Sequence, residues 1–183
     1  MSADYVVAHG APTLAGLKTG NLFPCPMPSR HVLFQQLRHI NRILVPRGLR
    51  LIPLRLEATR ALLYLFRPAR LRQDLVCPEA RTLLRQAGYP AGDHRLALRE
   101  LCRRLRSGAP FPHEIGLFLG YPPEDVQGFI AHQGKHCKCA GCWKVYGDEN
   151  AAQQRFSAYR ACTQEYCRRR AEGFPLSRLA VVM

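Results

Sequence analysis

The sequence predicts an α+β fold: a single domain over residues 1–183, with a small mixed or antiparallel sheet of about three to five strands covered by helices. Two apolar runs separated by a short polar turn predict an antiparallel hairpin, and several segments show the apolar spacing of amphipathic helices. With 183 residues, 47% of them hydrophobic and 22% charged, the chain can fold around a sizeable core.

Proline and capping signals place the first elements. Residues 12–18 are expected to form a short helix that a proline opens. A short strand is expected over residues 21–25, and Pro24, Pro26 and Pro28 are expected to interrupt regular structure there. Ser29 is a candidate N-cap for the next helix, whose apolar side recurs through residues 33–44.

The middle of the chain contains the hairpin and a group of helices. Residues 49–56 and 61–67 are the two apolar runs, and the second is apolar on both faces, which predicts a central strand. Helices are then expected over residues 69–76, 78–87 and 93–107.

The last third is less regular. Residues 111–120 fit either a strand or a short helix, and the helix is favoured because residues 121–125 resemble a turn that leads into another helix, with Glu124 and Asp125 complementing the dipole in its first turn. We then expect a third strand over residues 141–146, a long helix over residues 148–172, and an edge strand in the tail, residues 176–183.

The chain is strongly basic: 27 Lys and Arg residues stand against 13 Asp and Glu residues, a formal net charge of +14. Residues 30–72 contain ten arginines and one acidic residue, Glu57. This surface is either an ordinary solvated face or a binding site for nucleic acid or another polyanion. Because the sequence has neither a bilayer-spanning apolar run nor a signal-peptide pattern, a cytoplasmic location is expected.

Five of the eight cysteines fall within residues 137–167. They are Cys137, Cys139, Cys142, Cys162 and Cys167. The spacing of the first three suits a zinc ion or an iron–sulfur cluster, and Lys135, Lys138 and Lys144 would favour their thiolate forms. Redox-active thiols and purely structural cysteines are the alternatives. The last two are weaker candidates, because positions five apart on a helix do not share a face.

Two other sets of residues could carry chemistry. His113 and Glu114 could form the acid–base pair of an enzyme at a helix start, with His9 as a further participant. The alternative is that Glu114 stabilises the helix N-terminus while His113 bonds locally. Thr13 and Lys18 lie near an expected helix start and are candidates for binding an anion or ligand. The alternative is that this helix only packs against the rest of the protein.

Residues 9–23, 111–126 and 139–148 carry the sequences HGAPTLAGLKTGNLF, FPHEIGLFLGYPPEDV and CAGCWKVYGD. They resemble domain-of-unknown-function family 3793 of mostly anaerobic bacteria, and the resemblance covers nearly the whole chain. It implies a binding or accessory role in anaerobic iron or redox metabolism, with an acidic partner such as a flavodoxin. It also implies that many relatives have a cysteine at the position of Gly10, so no cysteine nucleophile is expected there in this chain.

Overall fold

The computed structural model describes residues 2–90, 92–108 and 110–182. It contains a three-stranded antiparallel sheet with helices packed against it. This arrangement confirms the predicted α+β class. Residue contacts divide the chain into two compact units, the first made of residues 1–69 and 159–183 and the second of residues 70–158. The single domain expected over the whole chain stays a prediction.

The sheet of the first unit has the order β1-β3-β2, with β1 at Gly20–Pro26, β2 at Arg50–Leu56 and β3 at Arg60–Phe66. β2 and β3 form the predicted hairpin, and β3 takes the predicted central place. Pro24 and Pro26, expected to interrupt regular structure, lie inside β1. They are tolerated because β1 is an edge strand, which pairs on one side only.

The first helix, α1, spans Ala3–Leu14, so the expected helix over residues 12–18 is wrong. Ser2 is its N-cap, and the Ser2 hydroxyl accepts a hydrogen bond from the Tyr5 backbone N–H at 3.2 Å. Pro12 lies in the last turn of α1. A proline there removes one backbone hydrogen bond and has no long helix after it to disrupt.

The second helix, α2, spans Arg30–Leu44 and begins at the predicted N-cap, Ser29, whose hydroxyl accepts from the Val32 N–H at 3.2 Å. Its buried side consists of Leu33, Leu37, Ile40 and Leu44. The Asn41 side chain donates to the Leu51 carbonyl at 2.8 Å and accepts from the Leu51 N–H at 2.9 Å. These two bonds fix α2 on β2.

A buried arginine joins distant parts of the first unit. Arg67 is 2% exposed, and its Nε donates to the Thr13 carbonyl at 2.8 Å. Its Nη2 donates to the carbonyls of Leu14 and Val181, at 2.7 and 2.8 Å. Two of these carbonyls belong to the end of α1, where the helix dipole stabilises a positive charge.

The tail of the first unit is helical where an edge strand was expected. Over residues 176–183, the short helix α9 spans Leu176–Leu179, and the Val181 N–H that follows donates to the Leu14 carbonyl at 3.0 Å. Met183 lies outside the described residues. The strand prediction is wrong because apolar residues in a short run bury themselves equally well on a helix.

The second unit is mostly helical, as predicted. Its helices are α4 (Pro78–Gln86), α5 (His94–Arg106), α6 (Ile115–Phe118), α7 (Pro123–Ala131), most of α3 (Pro68–Val76) and the first part of α8 (Glu149–Ala171). Residues 111–120 thus contain a helix, the favoured alternative. Residues 141–146 do not form one strand: after a turn the chain forms β5 (Lys144–Val145), which pairs with β4 (Cys139–Ala140). No helix in the described ranges is long and apolar enough to cross a membrane.

Candidate functional site

The carboxylate of Asp125 fixes the segment that follows the β4–β5 turn. Asp125 lies in the first turn of α7 and is 2% exposed. Its Oδ2 accepts from the Trp143 indole N–H, and its Oδ1 accepts from the backbone N–H groups of Tyr146 and Gly147, each at 2.7 Å. From the sequence, Asp125 is only an acid that complements a helix dipole. Its partners lie 18 to 22 positions away, which no local pattern reveals.

Trp143 is held on two further sides by aromatic rings. Its ring centroid lies 4.5 Å from that of Phe156, edge to face, and 4.8 Å from that of Tyr121, in a stacked arrangement. The Tyr121 hydroxyl donates to the Cys142 carbonyl at 3.1 Å. Gly141 permits this packing, because a Cβ there would lie 2.4 Å from the Phe156 ring. The plane of the indole is therefore well defined.

A cavity of about 350 Å³ lies beside Trp143. Aromatic side chains line much of it, namely Phe111, Tyr121, Phe129 and Trp143, with Ile115 and Val126 among the aliphatic ones. His113 and Lys144 also line it and are exposed. The Lys144 ammonium donates to the Gly134 carbonyl at 2.6 Å. An apolar lining with a few polar groups is the usual composition of a small-molecule site.

Most of the residues that line this cavity belong to the segments 111–126 and 139–148. These two segments carry sequences that resemble those of the family named above. The sequence model of the family described as "Protein of unknown function (DUF3793)" matches residues 6–180 of the 183-residue chain. The chain belongs to this family. No curated protein and no solved structure shows a match to it.

In this DUF3793 protein, Cys139 does not have the environment of a thiolate. Burial raises the pKa of the Cys139 thiol, and the Glu149 carboxylate raises it further. Lys138 and Lys144 direct their ammonium groups to backbone carbonyls, each at 2.6 Å. The expectation that neighbouring lysines favour the thiolate is therefore wrong for Cys139.

The five candidate metal or redox cysteines of the DUF3793 protein are divided between the two units. Cys137, Cys139 and Cys142 belong to the second unit, and Cys162 and Cys167 to the first. Burial raises the pKa of Cys162 to about 11. Across residues 2–90, 92–108 and 110–182, no three His, Cys, Asp or Glu side chains are grouped so that they could hold a metal ion.

His113 and Glu114 lie in different surroundings. Glu114 is buried, and its Oε1 accepts from Nη1 of Arg104 at 3.0 Å. The His113 ring is exposed at the cavity and lies 4.9 Å from the Phe129 ring, centroid to centroid. His9 belongs to the first unit, where its ring lies 4.4 and 5.3 Å from two aromatic rings. Glu114 therefore has an ion-pair role, and His113 is the candidate that borders the cavity.

Thr13 and Lys18, the candidates for anion binding, are both buried. Because α1 begins at Ala3, Thr13 lies in the last turn, where a helix leaves carbonyl groups rather than N–H groups unpaired. Its hydroxyl donates to Oδ1 of Asn21 at 2.6 Å. The Lys18 ammonium lies 5.8 Å from the centroid of the Tyr159 ring. The prediction of an anion site at a helix start is therefore wrong for Thr13.

Proposed function

We propose that this DUF3793 chain is a ligand-binding accessory protein, and that the cavity of the second unit binds a flat aromatic molecule with an anionic group. The observation that carries the proposal is the cavity lined by four aromatic side chains, because aromatic walls favour stacked or edge-to-face contact with planar rings. The cavity volume of about 350 Å³ lies in the range of pockets that take small molecules.

The part of the aromatic wall formed by Trp143 is fixed by the protein itself. The Trp143 indole donates to buried Asp125 at 2.7 Å and packs against Phe156 and Tyr121. Side chains held in place in this way lose little conformational entropy when a ligand binds. A preformed wall supports a role in binding.

The charge of the lining favours an anionic ligand. Lys144 is exposed and uses one of its three ammonium N–H groups on the Gly134 carbonyl. His113 adds a second group that can carry positive charge. The acidic residue in the lining is Asp125, and both of its oxygens accept hydrogen bonds from the protein. A carboxylate, sulfonate or phosphate on the ligand would therefore lie beside Lys144.

The chain has one tryptophan, Trp143, so tryptophan emission reports on the cavity directly. The test compares two probes with the same rings: anilinonaphthalene sulfonate, an aromatic anion, and phenylnaphthylamine, which lacks the sulfonate. We expect both to bind at one site and to quench Trp143 by energy transfer. Lys144→Gln should weaken binding of the sulfonate about 10-fold, the loss of one charge-assisted hydrogen bond, and should leave binding of the neutral probe unchanged.

Lys138→Gln is the matched control. Lys138 also donates to a backbone carbonyl at 2.6 Å, that of Gly147, and lies outside the described lining. Equal weakening of the sulfonate by both variants would contradict the role of Lys144. Probe binding without quenching of Trp143 would contradict the cavity as the site.

An accessory role in anaerobic iron or redox metabolism, with an acidic partner such as a flavodoxin, stays a prediction from the family resemblance. A zinc or iron–sulfur site at Cys137, Cys139 and Cys142 also stays a prediction, based on their spacing. Metal analysis of protein purified without oxygen tests it. About one equivalent of metal, lost in the double variant Cys139→Ser, Cys142→Ser, would support the site, and metal retained in that variant would exclude it.

A further inference from the structure

The solvent side of α2 carries arginines and an aromatic ring at regular spacing. Every fourth position holds one of Arg30, Phe34, Arg38 and Arg42, and a neighbouring row holds His31, Gln35 and His39. All seven side chains are exposed, and Phe34 is 39% exposed. Residues four apart follow one another along a helix at intervals of about 6 Å. The exposed phenyl ring thus lies between two arginines of the same row.

This face is held in a fixed position on the first unit. Four buried apolar side chains pack the opposite side of α2 into the core. Asn41 makes two hydrogen bonds to the backbone of Leu51 in β2, and Ser29 caps the first turn. The exposed side chains therefore project from a rigid support.

Among the described residues, no carboxylate neutralises these arginines. Within the part of the chain that the structure describes, Arg30, Arg38 and Arg42 have no ion-pair partner, and α2 contains no acidic residue. The acidic residues of the first unit are Asp4, Glu57, Glu165 and Glu172, and each pairs with an arginine outside α2. The positive charge of α2 is therefore available to a partner.

We propose that the exposed face of α2 binds single-stranded nucleic acid. The arginines would contact phosphates, and Phe34 would stack on an unpaired base, the combination that single-strand binding surfaces use. In the second row, Gln35 and His31 hydrogen-bond to each other at 2.9 Å. Their remaining polar groups, and those of His39, can hydrogen-bond to base edges. An acidic protein could pair its carboxylates with the arginines, but its carboxylates would leave the exposed phenyl ring without a stacking partner. A nucleic-acid duplex has no unpaired base on which the ring could stack. This surface lies in the first unit and is independent of the cavity proposed in the second.

The test is a fluorescence anisotropy titration of a labelled twelve-residue oligothymidylate with the full chain. Three arginine–phosphate contacts predict that log K falls with log salt at a slope of about −2, an affinity loss of about 20-fold between about 50 and 200 mM salt. Arg38→Gln with Arg42→Gln should reduce the slope to about −0.7. Phe34→Ala should lower the affinity at least about 5-fold and leave the slope unchanged, because stacking releases no counterions.

Two controls are matched to these changes. Arg95→Gln with Arg99→Gln removes the same charge from exposed positions four apart on α5. Phe174→Ala removes a ring that is 38% exposed in the same unit as Phe34. The proposal is overturned if the controls lose as much affinity as the α2 variants, or if no oligonucleotide binds at the lower salt. Displacement of the oligonucleotide by polyglutamate at equal charge concentration would also overturn it and would assign the face to an acidic protein.

Discussion

Replacing Asp125 by Asn tests whether one carboxylate organises the candidate site. The substitution keeps the shape of the side chain and turns one oxygen into an amino group. Oδ1 can still accept from Tyr146 and Gly147, whereas the new amino group would face the Trp143 indole N–H, which is also a donor. Losing a charge-assisted hydrogen bond in a buried place costs about 1.5–3 kcal/mol, and the two remaining bonds weaken without the charge. We expect Asp125→Asn to lower the free energy of unfolding by about 2–4 kcal/mol.

The assay is urea unfolding followed by far-ultraviolet circular dichroism, in the wild-type and in the Trp143→Phe background. Phenylalanine has no N–H group, so the clash of two donors is absent there. Asp125→Asn should therefore cost about 1–2 kcal/mol less in that background than in the wild type. If the two substitutions are additive within about 0.5 kcal/mol, the indole bond does not stabilise the site and the reasoning fails.

Three further predictions concern a buried cation, a thiol and an acid. Arg67→Lys keeps the positive charge, but a lysine ammonium cannot reach all three of the carbonyls named above. The free energy of unfolding should therefore fall by about 2–4 kcal/mol in the same urea assay. An unchanged value would refute the role of the guanidinium. Burial raises the pKa of Cys162 to about 11, so near neutral pH iodoacetamide should label the exposed Cys142 and Cys167 before Cys162. Peptide mass spectrometry measures the order, and equally fast labelling of Cys162 would contradict the effect of burial. Hydrogen bonds from two arginines lower the pKa of Glu100 from 4.5 to about 2. Its carboxylate therefore stabilises the fold above about pH 4.5 and loses this contribution as the pH falls towards 2. The thermal midpoint of the wild type should exceed that of Glu100→Gln by the largest amount near neutral pH, and this difference should shrink as the pH falls from about 4.5 to 2. A difference that stays constant with pH would exclude the ion pairs of Glu100 as its cause.

The fold is predictable where local pattern and final position agree. α2 has a capping serine and an apolar side at helical spacing, and β3 is apolar on both faces and becomes the central strand. α1 is misplaced because a proline usually marks the start of a helix, and Pro12 lies at the end of one. The prolines of β1 mislead for a related reason: whether a strand tolerates them depends on its place at an edge, which only the assembled sheet determines.

The candidate site is less predictable because its groups come together from separate segments. The sequence singles out His113, which does border the cavity. It places Trp143 within the strand expected over residues 141–146 and Asp125 in the first turn of a helix, and nothing in it joins the two. The hydrogen bond between Trp143 and Asp125 spans 18 positions. The cavity itself is a space between packed segments, and no single segment contains a sign of it.

Arg67 also imposes an order of events on synthesis. The Val181 carbonyl that it holds lies 114 residues further along the chain, so a ribosome makes the whole of the second unit between these two groups. During that time the nascent first unit carries a guanidinium that lacks one of its native acceptors, and the end of α1 lacks the Val181 N–H that bonds to the Leu14 carbonyl. The segment translated first thus completes its hydrogen bonds only after the whole of the second unit has been translated.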